Sequence, residues 1–188
     1  WFDVDKKLHV KPEVDVIDFR WPNMRWSLDG RTFSYWKVDR GHQRFRLVEV
    51  DVFTGKARDI IDEKSETFIW TEHPKDYGTS LVTWLKKSRE IVYISEQDGW
   101  RHLYLVDVTT GKQKQITKGE YVLRYVDKID EEKRQIWFRA SGRNPKQDPY
   151  LIHYYRVNFD GGGLTALTEG DGTHEVRYSP DRKYLIDT

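Results

Sequence analysis

The sequence predicts an all-β chain: a partial β-propeller of about three to four four-stranded antiparallel blades, belonging to a larger propeller. Three observations predict it. Apolar residues alternate with polar ones in short β-branched and aromatic runs, Gly-containing turn pairs punctuate those runs, and one block recurs at intervals of 45 to 58 residues.

The runs come first. Val48, Val50 and Val52 alternate with Glu49, Asp51 and Phe53. In the stretch from Leu103 to Val108 both alternating sets are largely apolar, which predicts a strand buried on two faces. Ile91-Val92-Tyr93-Ile94 and Ile136-Trp137-Phe138 are short apolar strands. The turns follow: Asp29-Gly30, Thr54-Gly55, Asp98-Gly99, Thr110-Gly111 and Gly161-Gly162-Gly163. No amphipathic helix longer than two turns is evident.

The repeat decides the architecture. VDVFTGKARDII from Val50 lines up with VDVTTGKQKQIT from Val106 and, more loosely, with VNFDGGGLTALT from Val157, at steps of 56 and 51 residues. A second landmark precedes each copy, WSLDGRTFSYW from Trp26, WLKKSREIVYIS from Trp84 and IDEEKRQIWFRAS from Ile129, and recurs a fourth time as YSPDRKYLIDT from Tyr178. Phe33, Ile91, Ile136 and Tyr184 then align at steps of 58, 45 and 48. That spacing suits four strands per unit. FDVDKKL from Phe2 resembles the closing hairpin of an earlier blade, so the 188 residues are expected to be a segment of a larger domain.

Composition narrows the function. With 32 basic and 31 acidic residues the net charge is +1, which argues against bulk electrostatic binding to nucleic acid or anionic membrane. Eight tryptophans and 14% aromatics supply large apolar area. No apolar run approaches the roughly 20 residues of a membrane span. The absence of cysteine removes disulfides, zinc–thiolate sites and cysteine nucleophiles.

SEQDGWRHLYLVD from Ser95 and DGTHEVRYSPDRKYLIDT from Asp171 resemble the propeller domain of dipeptidyl peptidase IV-like (prolyl oligopeptidase-type) serine peptidases. DRGHQRFRLVEVD from Asp39 and IDEKSETFI from Ile61 are similar to its bacterial members. The resemblance implies an eight-bladed propeller that selects peptides for a C-terminal α/β-hydrolase domain, which is expected to lie outside these residues together with its Ser, Asp and His. It implies release of N-terminal dipeptides, often with Pro or Ala second, and a pair of glutamates gripping the substrate amine. Residues 1–188 are expected to be the non-catalytic, gating and positioning part, with a peptide substrate, the hydrolase domain and, in a homodimer, a second copy as partners. An extracytoplasmic location is favoured. The alternative is a stand-alone propeller scaffold for proteins or glycans; a propeller glycosidase using inward carboxylates is a weaker third class.

No residue here is expected to be catalytic. Gly78-Thr79-Ser80-Leu81-Val82 lacks the second Gly of a nucleophile elbow and precedes a strand instead of a helix. The six histidines show no metal-ligand spacing, so neither metal nor cofactor is expected. His102 reads as a packing or hydrogen-bonding residue and His174 as one that orients a turn. Glu131-Glu132 falls in a hairpin turn and is not assigned the amine-binding role. Asp29, Asp51, Asp107 and Asp181 sit at turns, where their side chains cap backbone N–H groups. The long link WTEHPKDYGT puts Trp70, Glu72 and Tyr77 forward as residues lining a substrate path. SGRNPKQDPY, from Ser141 to Tyr150, reads by default as a solvated loop. Trp26, Trp84, Trp100 and Trp137 are expected to pack between blades, with Asp98 supporting the turn. Trp100→Ala would then cost about 3–5 kcal/mol.

Overall fold

A computed structural model describes residues 1–71 and 80–188. The described residues form strands and turns without a helix, as expected of so few helical periods. They divide into two compact units: residues 1–71 with 109–111, and the described residues of 80–108 and 112–188.

The first unit begins with the hairpin β1 (Phe2–Asp3) and β2 (Leu8–His9). A four-stranded antiparallel sheet follows: β3 (Arg25–Trp26), β4 (Thr32–Val38), β5 (Arg44–Asp51) and β6 (Ala57–Lys64), lying side by side in chain order. β5 is central and buried on both faces from Phe45 to Val50. Tyr35, Val48 and Val50 make a core against Trp1, Val14, Ile17 and Phe33. Charged side chains are buried in the same sheet, and Arg46 and Glu49 among them are paired. Arg46 donates to Asp15 (3.1 Å) and Asp39 (2.9 Å), and Glu49 accepts from Arg58 (2.6 Å). Pairing is what makes such burial tolerable.

The second unit holds two such sheets and a hairpin. β7 (Val82–Trp84), β8 (Glu90–Ser95), β9 (His102–Asp107) and β10 (Gln113–Gln115) form one sheet. β11 (Val122–Asp130), β12 (Gln135–Ser141), β13 (Ile152–Asn158) and β14 (Thr165–Ala166) form the next. β15 (Val176–Tyr178) pairs with β16 (Leu185–Asp187). The two-faced strand read from Leu103 is there: Leu103 and Val106 are fully buried and Tyr104 nearly so. Ile91, Tyr93, Ile136 and Phe138 complete the centre. At the end of the sheets opposite their tight hairpins, the longer links 96–101 and 142–151 run between strands.

Asp29, Asp51 and Asp181 cap their turns as expected. Asp29 accepts from the Arg31 N–H (3.0 Å) and the Ser27 hydroxyl (2.7 Å). Asp181 repeats this with Lys183 (3.1 Å) and Ser179 (2.8 Å), and Asp51 caps Phe53 and Thr54 at 3.0 Å. The β7–β8 turn has lysines where the β3–β4 and β15–β16 turns have Ser-x-Asp. Its free N–H groups are filled by the neighbouring sheet. The Glu131 carboxylate, from the β11–β12 turn, accepts from Lys86 N (2.8 Å) and Lys87 N (2.8 Å). Arg134 adds a two-pronged pair with Glu90, and Glu132 meets Lys87.

The backbone donors of Lys86 and Lys87 hold the Glu131 carboxyl below its ordinary pKa, against the opposing effect of its partial burial. Its contribution is therefore present above the ordinary carboxylate range, near 4.3, and is lost as pH falls through the lower folded value. Glu131→Ala should destabilise by roughly 1 kcal/mol, allowing for solvent screening, and flatten the acid limb of the stability curve. Urea melts from pH 3 to 7 check this; parallel curves for parent and variant would rule the clasp out.

The tryptophans divide. Trp137 is 4% exposed, with Lys128 and Arg182 over its ring, and Trp84 is half-buried. Trp26 and Trp100 depart from the expected burial, being 55% and 40% exposed. Trp26 lies on a two-residue edge strand and leans on Phe33 (ring centroids 5.4 Å). Trp100 stands at the tip of a turn, its N–H donated to Asp98 (3.1 Å), beyond the reach of the sheet. Removing its ring opens no core cavity, so the several kcal/mol expected for Trp100→Ala no longer apply.

Candidate functional site

Two sheets of the second unit carry the same small device. A histidine on the third strand faces a Thr-x-Gly segment 15 residues later to the threonine. On β9, His102 is wholly buried. The Thr117 hydroxyl accepts the Leu103 N–H (2.9 Å) and lies 3.1 Å from His102 Nδ1, while Nε2 lies 2.9 Å from the Gly119 carbonyl. A carbonyl can only accept, so Nε2 carries the proton and the Thr117 hydroxyl donates to Nδ1. Tyr121 closes the arrangement edge-on, its ring 4.8 Å away.

The second copy is built alike and left open. On β13, His153 is 7% exposed. Thr168 Oγ1 accepts the Tyr154 N–H (3.1 Å) and lies 3.4 Å from His153 Nδ1. The Gly170 carbonyl is taken by the Gln147 side chain (2.5 Å) instead of the histidine. The segment after Gly170 runs two residues longer before its ring, and that ring is His174, 4.8 Å from His153. His174 Nδ1 is held by the Asp187 carboxylate (2.8 Å). Among the described residues, His153 Nε2 and His174 Nε2 are both buried without a hydrogen-bond partner. Burial, reinforced by the His174 ring, lowers the His153 pKa, so the imidazole is neutral at neutral pH.

A cleft of about 460 Å³ opens beside His153, walled by Arg143, Asn144 and Gln147 from the 142–151 link and by Glu169 and Gly170 after β14. Tyr155 also lines it, with the Arg143 guanidinium over the ring at 5.4 Å. The link read as a solvated loop thus forms a wall. Nothing in its composition announced this; the signal lay in the matched His-to-Thr spacing of the two copies.

Of the residues put forward from sequence, Trp70 is half-buried, and Glu72 and Tyr77 lie outside the described residues. Ser80 donates its hydroxyl to the Val82 carbonyl (2.7 Å), a local turn contact. Asp98 caps Trp100 and also accepts from Gln115. Among the described residues no cluster of three His, Asp or Glu could hold a metal, and no helix is long and apolar enough to cross a membrane.

Comparison with known proteins supplies the family. The model of the dipeptidyl peptidase IV N-terminal region matches residues 4–188. The chain belongs to that family. Relatives of this dipeptidyl peptidase IV N-terminal region include dipeptidyl peptidase 4 of Trichophyton equinum and of Trichophyton rubrum, 28% and 29% identical over 157 residues. Each alignment covers 83% of this chain and 19% of the relative, so the chain spans about a fifth of their length. These relatives are fungal and give no support to the bacterial leaning. Among solved structures, Porphyromonas gingivalis dipeptidyl peptidase 4 shares the fold at TM-score 0.63 and 17% identity, over 84% of this chain and 21% of that one. The three four-stranded sheets are blades of a partial β-propeller.

Proposed function

We propose that this dipeptidyl peptidase IV N-terminal region is the substrate-positioning and gating propeller segment of a serine exopeptidase that releases N-terminal dipeptides, often X-Pro or X-Ala. The observation that carries the reading is the family match across nearly the whole chain. The partners are a peptide substrate and a C-terminal hydrolase domain supplying Ser, Asp and His, with a homodimer and an extracytoplasmic location completing the proposal. Within this chain no nucleophile elbow is present, so its part is binding and orientation. Trp70, Glu72 and Tyr77 are assigned to the peptide path.

The test is hydrolysis of X-Pro chromogenic peptides by the protein that carries this sequence together with its hydrolase. Dipeptide release is expected. Trp70→Ala is expected to raise KM roughly tenfold with kcat little changed, as for loss of uniform substrate binding. Glu72→Gln and Tyr77→Phe should act in the same sense. An unchanged KM in all three would remove these residues from the path. Absence of dipeptide release would overturn the exopeptidase reading and favour a binding scaffold.

A further inference from the structure

We propose that the cleft beside His153 is a binding site for the carboxylate end of an amino acid or short peptide, held by Arg143 and His153, with Glu169 facing the ligand's ammonium group. The inference stands on this unit alone and does not depend on the peptidase reading.

The comparison of the two copies carries it. In the first, every polar atom of the histidine is satisfied within the fold: Nδ1 by Thr117, Nε2 by the Gly119 carbonyl. In the second, the same threonine contact is kept, but the carbonyl that would receive Nε2–H is bound by Gln147. Where the Thr168 hydroxyl donates to His153 Nδ1, as Thr117 does to His102, the His153 proton sits on Nε2. The result is a buried N–H donor without an acceptor, in a residue that lines a 460 Å³ cleft. Buried donors are almost always satisfied, and an orphan calls for an explanation.

The cleft's other groups name the acceptor. Arg143 rests over the rings of Tyr155 (5.4 Å) and Tyr121 (6.0 Å), and it forms no ion pair with a carboxylate among the described residues. A planar fork so held matches a carboxylate with two parallel hydrogen bonds. The His153 N–H adds a third donor. Glu169, on the same cleft, repels a bare anion and favours a ligand that also carries a positive charge. Carboxylate and ammonium together describe an amino acid or a short peptide.

The experiment is an NMR titration of the full chain, following the His153 ring resonances, with triglycine, acetate, glycinamide and inorganic phosphate as probes. Triglycine is expected to give a saturable shift, acetate a weaker one, and glycinamide none. Arg143→Gln, at an exposed position, should leave the melting temperature unchanged and weaken triglycine at least tenfold. His153→Phe, followed on the neighbouring His174 ring resonances, should abolish binding while the protein remains folded. Glu169→Gln should narrow the preference for triglycine over acetate. A triglycine affinity unchanged in Arg143→Gln overturns the proposal, as does no saturable shift up to 20 mM. Acetate or phosphate binding as tightly as triglycine overturns the assignment of a peptide ligand.

Discussion

Phe138→Ala lowers the stability of the second unit by about 3–5 kcal/mol, the range found when a fully enclosed aromatic is truncated. Phe138 lies mid-strand on β12, paired with Val126 on one side and Tyr155 on the other, and is wholly buried. Its ring stacks on Tyr155 at 5.5 Å. The neighbours are themselves anchored in a hydrogen-bonded ladder, so they cannot collapse into the space, and the cavity term adds to the lost transfer energy. Phe53→Ala provides the contrast, because Phe53 is 75% exposed at a hairpin tip; its cost should fall within about 0.5 kcal/mol. Chemical denaturation of the two variants is the measurement. Equal midpoints would mean that Phe138 is not enclosed.

Substituting the two histidines by phenylalanine separates the closed device from the open one. His102→Phe should cost roughly 1–3 kcal/mol, because it removes one hydrogen bond from the Thr117 hydroxyl and one from the Gly119 carbonyl, which are left with the Leu103 and Tyr121 N–H groups. His153→Phe removes only the 3.4 Å contact to Thr168 and an Nε2 that has no partner. Its cost should stay within about 1 kcal/mol, since deleting an orphaned donor relieves a desolvation penalty. Thermal or urea melts of the pair settle the matter. Similar losses in both variants would show that His153 is as fully bonded as His102.

Much of the scaffold was legible because its causes are local. Alternation placed β5, β8, β9 and β12, and Asp-Gly and Thr-Gly pairs placed the hairpins; both depend on residues within a few positions of one another. Burial of individual tryptophans was not legible, since Trp26 and Trp100 occupy an edge strand and a turn tip that no spacing distinguishes from a core position. The Glu131 clasp was hidden for a different reason: its acceptors and donors are about 45 residues apart. The His153 cleft came from a small difference between copies: two extra residues after Gly170 and one glutamine that competes for a carbonyl. Repeats reveal a fold through their likeness, and here the candidate site lies where the likeness fails.

Within each of the three sheets, every strand is hydrogen-bonded only to the strands before and after it in the chain. A sheet of this kind closes no long loop on forming, so its entropic barrier is that of successive hairpins. During synthesis from the N-terminus, β3 to β6 can pair fully before β7 has been made, and each later sheet can then complete in turn. Folding of this chain is therefore expected to be vectorial, one sheet per forty to sixty residues synthesised, with the slow and aggregation-prone interval confined to whichever sheet still lacks its last strand.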